Sequence, residues 1–349
     1  MLRFQPMHQV RPDTPDAILK GGVLYDIEKS TFERKPSSEG RPSTVSLYSN
    51  AVFILIVFGW YSSAVVAITT SKYVLTIFPF PFFLCSTQFF CASLITKSIS
   101  SLLRSEPIPS KFNNFMRQIA VSYTFGFLCT NIAFSLVSAN FAETVKSAEP
   151  VSSVILGYFV VNEVASAVSY ATLVPICVGV GMSCMGEDSF SLFGLVFAAL
   201  SNICFSYRAV VAKQLYQASS RTIDEIVLFA NISVIGFMIS CPLAVVIEKE
   251  SMMEFSNGSF SFSAILVQCV VNGCAYTCYN ILSFMALRRS SVITHAVLNV
   301  FRRVVIIVFT VFYFDVSLST LNVCGIIVAV FGVGCYTWTK LYAQNSREL

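Results

Sequence analysis

The sequence predicts an all-α membrane protein with ten transmembrane helices in two inverted five-helix repeats. Hydrophobic residues make up 55% of its 349 residues and charged residues only 12%, whereas about 25% of residues are charged in a typical soluble domain. Apolar runs of about 20 residues, the length that crosses a bilayer as a helix, recur from residue 51 almost to the C-terminus. The few charges lie mostly between these runs, which indicates a polytopic membrane protein.

Residues 1–46 are polar, rich in proline and of mixed charge, a composition typical of a disordered segment. They contain no apolar core of a signal peptide, and they are too acidic for a transit peptide. We therefore expect a disordered cytosolic tail, followed by a first membrane helix that acts as an uncleaved signal anchor.

Ten apolar spans follow the tail, and the connections between them are short, which makes sequential helices antiparallel neighbours. The spans are Ala51–Thr70, Tyr73–Thr96, Ile119–Val137, Ala139–Val161, Ala165–Met185, Phe190–Val211, Ile226–Ile247, Phe262–Leu287, Val292–Phe314 and Thr320–Tyr342. Prolines fall inside several of them, at positions 79, 81, 150, 175 and 242. In a membrane helix such prolines are tolerated as kinks.

Lysine and arginine are distributed unequally between the two sides of this arrangement. Most of them collect on the side that holds both termini, which the positive-inside rule assigns to the cytosol. A glycosylation sequon at Asn257 falls in the connection between the seventh and eighth spans, on the opposite side. That placement fits a lumenal loop of an endomembrane protein.

The two halves of the chain share a short echo. Cys129-Thr130-Asn131-Ile132 in the third span recurs as Cys278-Tyr279-Asn280-Ile281 in the eighth, although coincidence is an alternative explanation. Repeats with an odd number of helices are inverted in the membrane, as in many secondary transporters. We expect a ten-helix transporter domain at 47–343, with repeat one at 47–187, repeat two at 188–343, and a short tail at 344–349.

The charges away from the ends of the spans belong to two helices that correspond in the two repeats. The fourth span carries Glu143, Lys146 and Glu149 on one helical face, and the ninth carries His295, Arg302 and Arg303. A charge at bilayer depth costs about 2.5–3.5 kcal/mol, and Arg302 lies near the middle of its span. One interpretation is structural: Lys146 pairs with Glu149 or Glu143, and the arginines hold helices together.

The second interpretation is an anion site in a cavity at the membrane midplane. Lys146, Arg302 and Arg303 would supply three permanent cations from facing helices, and guanidinium groups match phosphate oxygens in a bidentate geometry. Tyr279 and Thr130 could add hydroxyl donors, with helix packing as the alternative role for each. Glu149 could take over Lys146 when the anion leaves. With the cavity empty, the three cations are expected to repel each other, which would make exchange obligatory.

Other patterns point away from other functions. The cysteines are scattered singly, so no zinc or other metal site and no cofactor is predicted, and the dispersed net charge of +4 does not suggest nucleic acid. His295 lacks the context of a hydrolase motif, so no enzyme is predicted and His295 is either packed or a cavity-lining residue. Arg208 is interpreted as an orientation anchor, and Gly179–Gly181 and Gly332–Gly334 as points of close helix packing.

Three stretches together resemble the plastidic triose-phosphate/phosphate translocators and their endomembrane relatives in the drug/metabolite transporter superfamily. The stretches are TNIAF…ETVKSAEPVSSV (Thr130–Val154), LSNICFSYRAVVAKQL (Leu200–Leu215) and YNILSFMALRRSSVITHAVLNVFRRVVIIV (Tyr279–Val308). The resemblance covers about residues 48–343 and implies antiport of a phosphorylated C3–C6 metabolite against inorganic phosphate.

By position, the resemblance implies phosphate-binding roles for Lys146, Tyr279, Arg302 and Arg303, and substrate contact for Thr130. This chain departs from the family pattern at two positions. Arg302 stands where the family usually has lysine, which preserves the charge but changes the geometry of its donors. Phe127 stands where plastid members have histidine, which removes a polar contact. The identity of the substrate beyond its phosphoryl group is therefore open.

The main alternative is a nucleotide-sugar transporter of the Golgi or endoplasmic reticulum. The diphosphate of a nucleotide sugar could bind the same cations, and its base or ribose could stack on Phe127. A proton-coupled exporter would need a dominant acidic residue in the cavity, and a non-transporting scaffold would leave the arginines unexplained. The expected location is an endomembrane or the plastid envelope. The expected partners are the bilayer, inorganic phosphate and a phosphorylated metabolite, with the protein a monomer or homodimer.

Overall fold

The computed structural model describes residues 44–161, 165–187, 190–219, 223–256, 262–289 and 292–348, and these ranges form eleven α-helices. Contacts divide the chain into a short N-terminal unit, residues 1–47, and a compact unit, Tyr48–Leu349. Nearly all of the predicted tail and the sequon at Asn257 lie outside the described residues.

The helices are numbered here in chain order, and a 3-10 turn at Ser110–Phe112 precedes the third. They are α1 Thr44–Ile77, α2 Pro81–Leu102, α3 Asn113–Leu136, α4 Ala139–Lys146, α5 Glu149–Val161, α6 Ala167–Met185, α7 Leu192–Ala218, α8 Glu225–Ser256, α9 Phe262–Arg289, α10 Val292–Tyr313 and α11 Thr320–Glu348.

The predicted all-α membrane fold is confirmed. Eight of the described helices are long and apolar enough to cross a membrane: α1, α2, α3, α6, α7, α8, α9 and α11. The fourth predicted span is occupied by α4 and α5, neither of which is long enough to cross alone, and the ninth is α10 with its two arginines. The chain is therefore a multi-pass membrane protein, and its described helices are consistent with ten spans, the fourth of them broken.

The boundary between the first two spans was predicted wrongly. The expected break near residue 72 is absent, because α1 continues to Ile77 and the turn lies at residues 78–80. Pro81 is the first residue of α2, a position where proline's missing N–H costs nothing. Pro79 and Pro81 flank this turn and do not kink a span. Lys72, which suggested a loop, lies inside α1 because its ammonium group finds partners within the bundle.

Corresponding helices of the two halves pack against each other. α2 packs on α8, α4 on α10, and α6 on α11, while α2–α9 and α3–α8 form an equivalent second set of contacts. The first three pairs each join a span to the span five positions later. The last two pairs are equivalent to each other, because swapping the two halves converts one into the other. This pairing is the arrangement expected of inverted repeats around a pseudo-two-fold axis.

Small residues allow α6 and α11 to approach at backbone distance. A Cβ atom placed on Gly179 would lie 2.3 Å from the Ala329 amide nitrogen, and one on Gly332 would lie 2.8 Å from Ile176. The predicted packing role is confirmed for these two glycines. Gly181 and Gly334 meet no atom within 4 Å, so that prediction is wrong for them.

Hydrogen bonds tie helices together at the α1–α2 end of the bundle, where α1 ends and α2 begins. The Lys72 Nζ donates to the carbonyl oxygens of Phe134 and Val137, at 2.8 Å each, where α3 ends. The Glu248 carboxylate of α8 accepts hydrogen bonds from the backbone amides of the second and third residues of α2, at 2.9 and 2.7 Å. Charged side chains thus cap two helix termini that would otherwise bury unpaired backbone groups.

A second network at the same end connects α4 with α6 and α11. The Ser138 hydroxyl donates to Glu187 at 2.6 Å, and the Asn322 amide donates to the same carboxylate at 2.9 Å. Ser183 in turn donates to the Asn322 side-chain oxygen at 2.9 Å. The beginning of α4 is therefore fixed to the pair of helices that pack most closely.

Candidate functional site

The fourth span breaks at its charged residues. α4 ends at Lys146 and α5 begins at Glu149, whereas the sequence predicted one continuous helix with these residues on one face. Pro150 explains the break: it has no amide to donate to the Lys146 carbonyl, and it disfavours helical geometry at Glu149. The Ser147 amide instead bonds to the Glu143 and Thr144 carbonyls, at 3.0 Å each, in a tightened last turn.

The break places two carboxylates among the cations. The Lys146 Nζ lies 3.1 Å from a Glu143 carboxylate oxygen, and the Arg303 guanidinium lies 3.7 Å from the other oxygen of the same carboxylate. Arg303 also donates to Glu149 at 2.6 Å. Glu143 is 1% exposed, so it is a buried acid that bridges cations from the fourth and ninth spans.

These contacts correct two expectations. Glu149 pairs with Arg303 rather than with Lys146, because the break turns it toward α10. The cations also do not face each other uncompensated, since Glu143 and Glu149 partner two of the three.

A cavity of about 260 Å³ brings most of the predicted site residues together. Among its lining residues are Phe127, Thr130, Lys146, Glu149, Tyr279, Arg302 and Arg303, from α3, α4, α5, α9 and α10. His295 is part of α10, but its side chain lies outside the described residues. Side chains from the fourth and ninth spans thus line the same cavity.

Arg302 has a different environment from Arg303. Its Nε donates to the side-chain oxygen of Asn299 at 3.1 Å, and its guanidinium carbon lies 5.8 Å from the centre of the Trp60 ring. Among the described residues, no carboxylate lies within ion-pair distance of Arg302. Asn299 and Trp60 also line the cavity.

The secondary residues line the cavity in packed arrangements. The Thr130 hydroxyl donates to the Gly126 carbonyl of its own helix at 2.9 Å, so its remaining capacity toward a ligand is that of an acceptor. Phe127 packs edge-on to the rings of Phe205 and Tyr276, with centroids 5.1 and 4.8 Å away. Phe127 therefore forms an aromatic wall of the cavity.

The short motif that the two repeats share contributes to the lining of the cavity. Thr130, Asn131, Tyr279 and Asn280 all line the cavity, so the equivalent positions of α3 and α9 face the same space. Asn131 donates to Gln88 at 3.1 Å. The side-chain amides of these two residues therefore line the same cavity as the hydroxyl groups of Thr130 and Tyr279.

Arg208 was interpreted wrongly as an orientation anchor. It lines the cavity, its guanidinium carbon lies 5.3 Å from the Tyr123 ring centre, and within the described part of the chain its buried Nε has no hydrogen-bond partner. The sequence placed the sixth span's end at Val211, whereas α7 continues to Ala218.

Two further lining residues were not predicted as part of the site. Glu143 was noticed only as a candidate ion-pair partner, and its near-complete burial required tertiary structure. Trp60 is 2% exposed and lies in the first span. A tryptophan inside a membrane span rather than at its edge was the available signal, since membrane tryptophans favour the interface.

A multi-pass helical bundle built from paired halves, with a charged cavity between them, is the arrangement of many secondary transporters. The Triose-phosphate Transporter family model matches residues 51–337, and the chain belongs to this family. It is 26% identical to the chloroplastic triose phosphate/phosphate translocator of Pisum sativum, over 97% of this chain and 86% of that protein. It is 30% identical to the chloroplastic phosphoenolpyruvate/phosphate translocator 1 of Oryza sativa subsp. japonica, over 87% of this chain and 74% of that protein.

A crystal structure of a protein with 14% sequence identity matches with a TM-score of 0.51 and covers 85% of this chain and 98% of that chain. This likeness concerns the fold alone.

Proposed function

We propose that this protein is a secondary antiporter that exchanges a phosphorylated C3–C6 metabolite for inorganic phosphate by alternating access, and that it is not an enzyme. The observation that carries the proposal is the convergence of Lys146, Arg302 and Arg303 on one cavity between the two halves. The relatives support it, since their names describe translocators of triose phosphate or phosphoenolpyruvate against phosphate.

The charge of the cavity suits a phosphate dianion. Its described lining holds four cationic side chains and two anionic ones, which leaves a net charge of +2. They are Lys146, Arg208, Arg302 and Arg303, and Glu143 and Glu149. A dianion neutralises this excess, whereas closing the empty cavity would bury it at a cost of several kcal/mol. Obligatory exchange follows, because only the loaded carrier closes without that penalty.

Phosphate binding is proposed to rearrange the ion pairs. The phosphoryl group would sit against Arg302, Arg303 and Lys146, accept a hydrogen bond from Tyr279, and displace Glu149 from Arg303. Glu149 is suited to this because its side chain is 28% exposed, in contrast to the buried Glu143. Glu149 then restores the pair when phosphate leaves, and Glu143 stays as the fixed counter-ion of Lys146.

The dimensions of the cavity support a small substrate. Its volume of about 260 Å³ lies below the range of about 300–1,000 Å³ typical of pockets for drug-sized ligands. Phe127 and its neighbouring rings limit the space beyond the phosphoryl end, and Arg208 and Thr130 are left to contact the rest of the substrate. A nucleotide sugar is larger than a C3–C6 phosphate, so the cavity favours the sugar phosphate over the alternative.

The orientation and location complete the proposal. The distribution of lysine and arginine supports cytosolic termini, so the α1–α2 end would face the lumen or the intermembrane space. The α1–α2 end would be one gate of the transporter, and the hydrogen bonds of Lys72, Glu248 and Glu187 would hold it closed. Chloroplast relatives favour the plastid envelope over an endomembrane, and the protein would act as a monomer or homodimer.

Counter-exchange in proteoliposomes tests this function. Vesicles preloaded with phosphate should take up labelled phosphate and a C3 or C6 phosphate, and should exclude UDP- and GDP-sugars. Uptake of nucleotide sugar without phosphate exchange would overturn the proposal. Substantial phosphate entry into vesicles that contain no counter-substrate would contradict obligatory exchange.

A paired variant separates binding from folding. Lys146→Met leaves the buried Glu143 with one distant partner, which is expected to destabilise the protein by about 3–5 kcal/mol. Lys146→Met combined with Glu143→Gln removes both charges, so it should fold and insert yet fail to exchange phosphate. Lys249→Met, at an exposed position in α8, is the control and should exchange normally.

A further inference from the structure

We propose that Trp60 and Tyr61 of α1 are positioning residues that hold Arg302 in place for the substrate's phosphoryl group without a direct ion pair to a carboxylate. The inference rests on the proposed function, because it assigns Arg302 to phosphate. It adds a role for the first span, which contributes no charge to the site.

The indole ring of Trp60 is fixed by packing. Trp60 is 2% exposed and belongs to a cluster with Ile56 of the same helix and Ala286 of α9, against which Tyr279 and Leu298 also pack. The ring centre lies 5.8 Å from the Arg302 guanidinium carbon, within the distance at which an aromatic face attracts a cation. A ring held by α1, α9 and α10 together leaves the guanidinium little freedom to turn away.

Tyr61 holds the same turn of α10 through its backbone. Its hydroxyl donates to the carbonyl oxygen of Leu298. In an α-helix the carbonyl of residue 298 also accepts the amide of residue 302, so the hydroxyl bonds to the turn that carries Arg302. Adjacent residues of α1 therefore fix both the side chain and the backbone of one arginine.

The kind of partner distinguishes Arg302 from the other cations of the fourth and ninth spans. Lys146 and Arg303 each contact a carboxylate, at 3.1 and 2.6 Å, and an arriving anion must compete with that carboxylate. The partners of Arg302 are an amide oxygen and an aromatic face. Both are neutral, so they orient the guanidinium without opposing the approach of an anion. Arg302 is thus prepared to make the first contact with phosphate.

Transport kinetics test the role of the ring. Trp60→Leu should raise the KM for phosphate about tenfold, which corresponds to loss of a desolvated cation–π contact, and change the maximal exchange rate less than twofold. Trp60→Tyr and Trp60→Phe should restore part of the affinity, because their rings keep the attraction that leucine lacks. Tyr61→Phe should raise the KM by a smaller factor.

The control is the second of the two tryptophans in the chain. Trp338 lies on α11 and is 72% exposed, so Trp338→Leu should leave the KM unchanged. A purely structural role for Trp60 would reduce the maximal rate and the yield of folded protein in all three variants and leave the KM unchanged. That result would overturn the inference.

Fluorescence provides a readout that keeps the indole intact. In Trp338→Phe, Trp60 is the only tryptophan, so inorganic phosphate should cause a saturable change in its emission as Arg302 engages the anion. Additional replacement of Arg302 by glutamine should abolish that change. Normal phosphate exchange without any emission change would overturn the inference alone, whereas absence of exchange by the unsubstituted protein would overturn the proposed function and the inference with it.

Discussion

Glu143 and Glu149 make the proposed binding site a set of ion pairs rather than a group of cations alone. Their carboxylates lie 3.1 Å from Lys146 and 2.6 Å from Arg303, so two of the positive charges are compensated before any substrate arrives. The two acids are not equivalent: Glu143 is buried, and the Glu149 side chain is 28% exposed at the cavity. Only Glu149 has access to the space that a moving counter-ion requires.

Glu149→Gln tests this role of the more exposed acid. The change raises the net charge of the cavity from +2 to +3, so phosphate should bind more tightly and leave more slowly. We expect the KM for phosphate to fall about tenfold, the scale of one charge-assisted hydrogen bond, and the maximal exchange rate to fall with it. Phosphate homo-exchange in proteoliposomes measures both, with Glu250→Gln, exposed on α8, as control. A KM that does not fall would contradict the role of Glu149 as the substrate's competitor.

The break between α4 and α5 is the element on which the site depends. It turns Glu149 toward Arg303 of α10, whereas an unbroken helix would carry Glu149 on the face of Glu143 and Lys146. Discontinuous helices commonly form the substrate sites of transporters, because their free ends offer backbone groups and directed dipoles. Here the break instead allows Glu143 to pair with Lys146 and Glu149 to pair with Arg303.

Pro150→Ala tests the dependence on that break. Alanine restores an amide donor for the Lys146 carbonyl. A joined helix would then not carry the cost of about 3 kcal/mol that an interior proline imposes, so α4 and α5 should tend to join. The melting temperature in detergent should rise while phosphate exchange falls. Pro242→Ala, at the proline inside α8, is the matched control and should leave exchange unchanged. Unimpaired exchange by Pro150→Ala would show that the break is dispensable.

At the scale of the whole molecule, hydrogen bonds hold helices together at the α1–α2 end. The α1–α2 end carries the hydrogen bonds from Lys72 to α3 and from Glu187 to α4 and α11. The α1 helix also contacts α10 through Trp60 and Tyr61. Tyr61 lies about 17 Å from Lys72 along α1, at 1.5 Å per residue. One helix thus contacts both the anion site and the end proposed as the closed gate.

Lys72→Met tests the gate. It removes two hydrogen bonds from an ammonium group, each worth about 1.5–3 kcal/mol, and leaves the last carbonyls of α3 unpaired. Hydrogen exchange of the peptide that covers residues 134–142 should become faster, and phosphate should leak into vesicles that contain no counter-substrate. Lys249→Met should show neither effect. Unchanged protection of that peptide in Lys72→Met would argue against this lysine as a latch.

The sequence by itself determined the all-α membrane fold class and three of the four cationic residues that line the cavity. These features follow from composition and spacing, because a bilayer imposes the length of each helix and makes every charge within it conspicuous. Lys146, Arg302 and Arg303 were recognised for that reason, and all three line the cavity.

Only the tertiary structure decided which charges pair, where the fourth span breaks, and that Trp60 and Arg208 line the cavity. The partner of Glu149 depends on a backbone break and on the distance to α10, neither of which is encoded by local spacing. Arg208 and Trp60 reach the cavity through the packing of α7 and α1, at positions that apolar patterning does not single out. Pairing energies depend on distances between remote segments, and those distances exist only once the helices have packed.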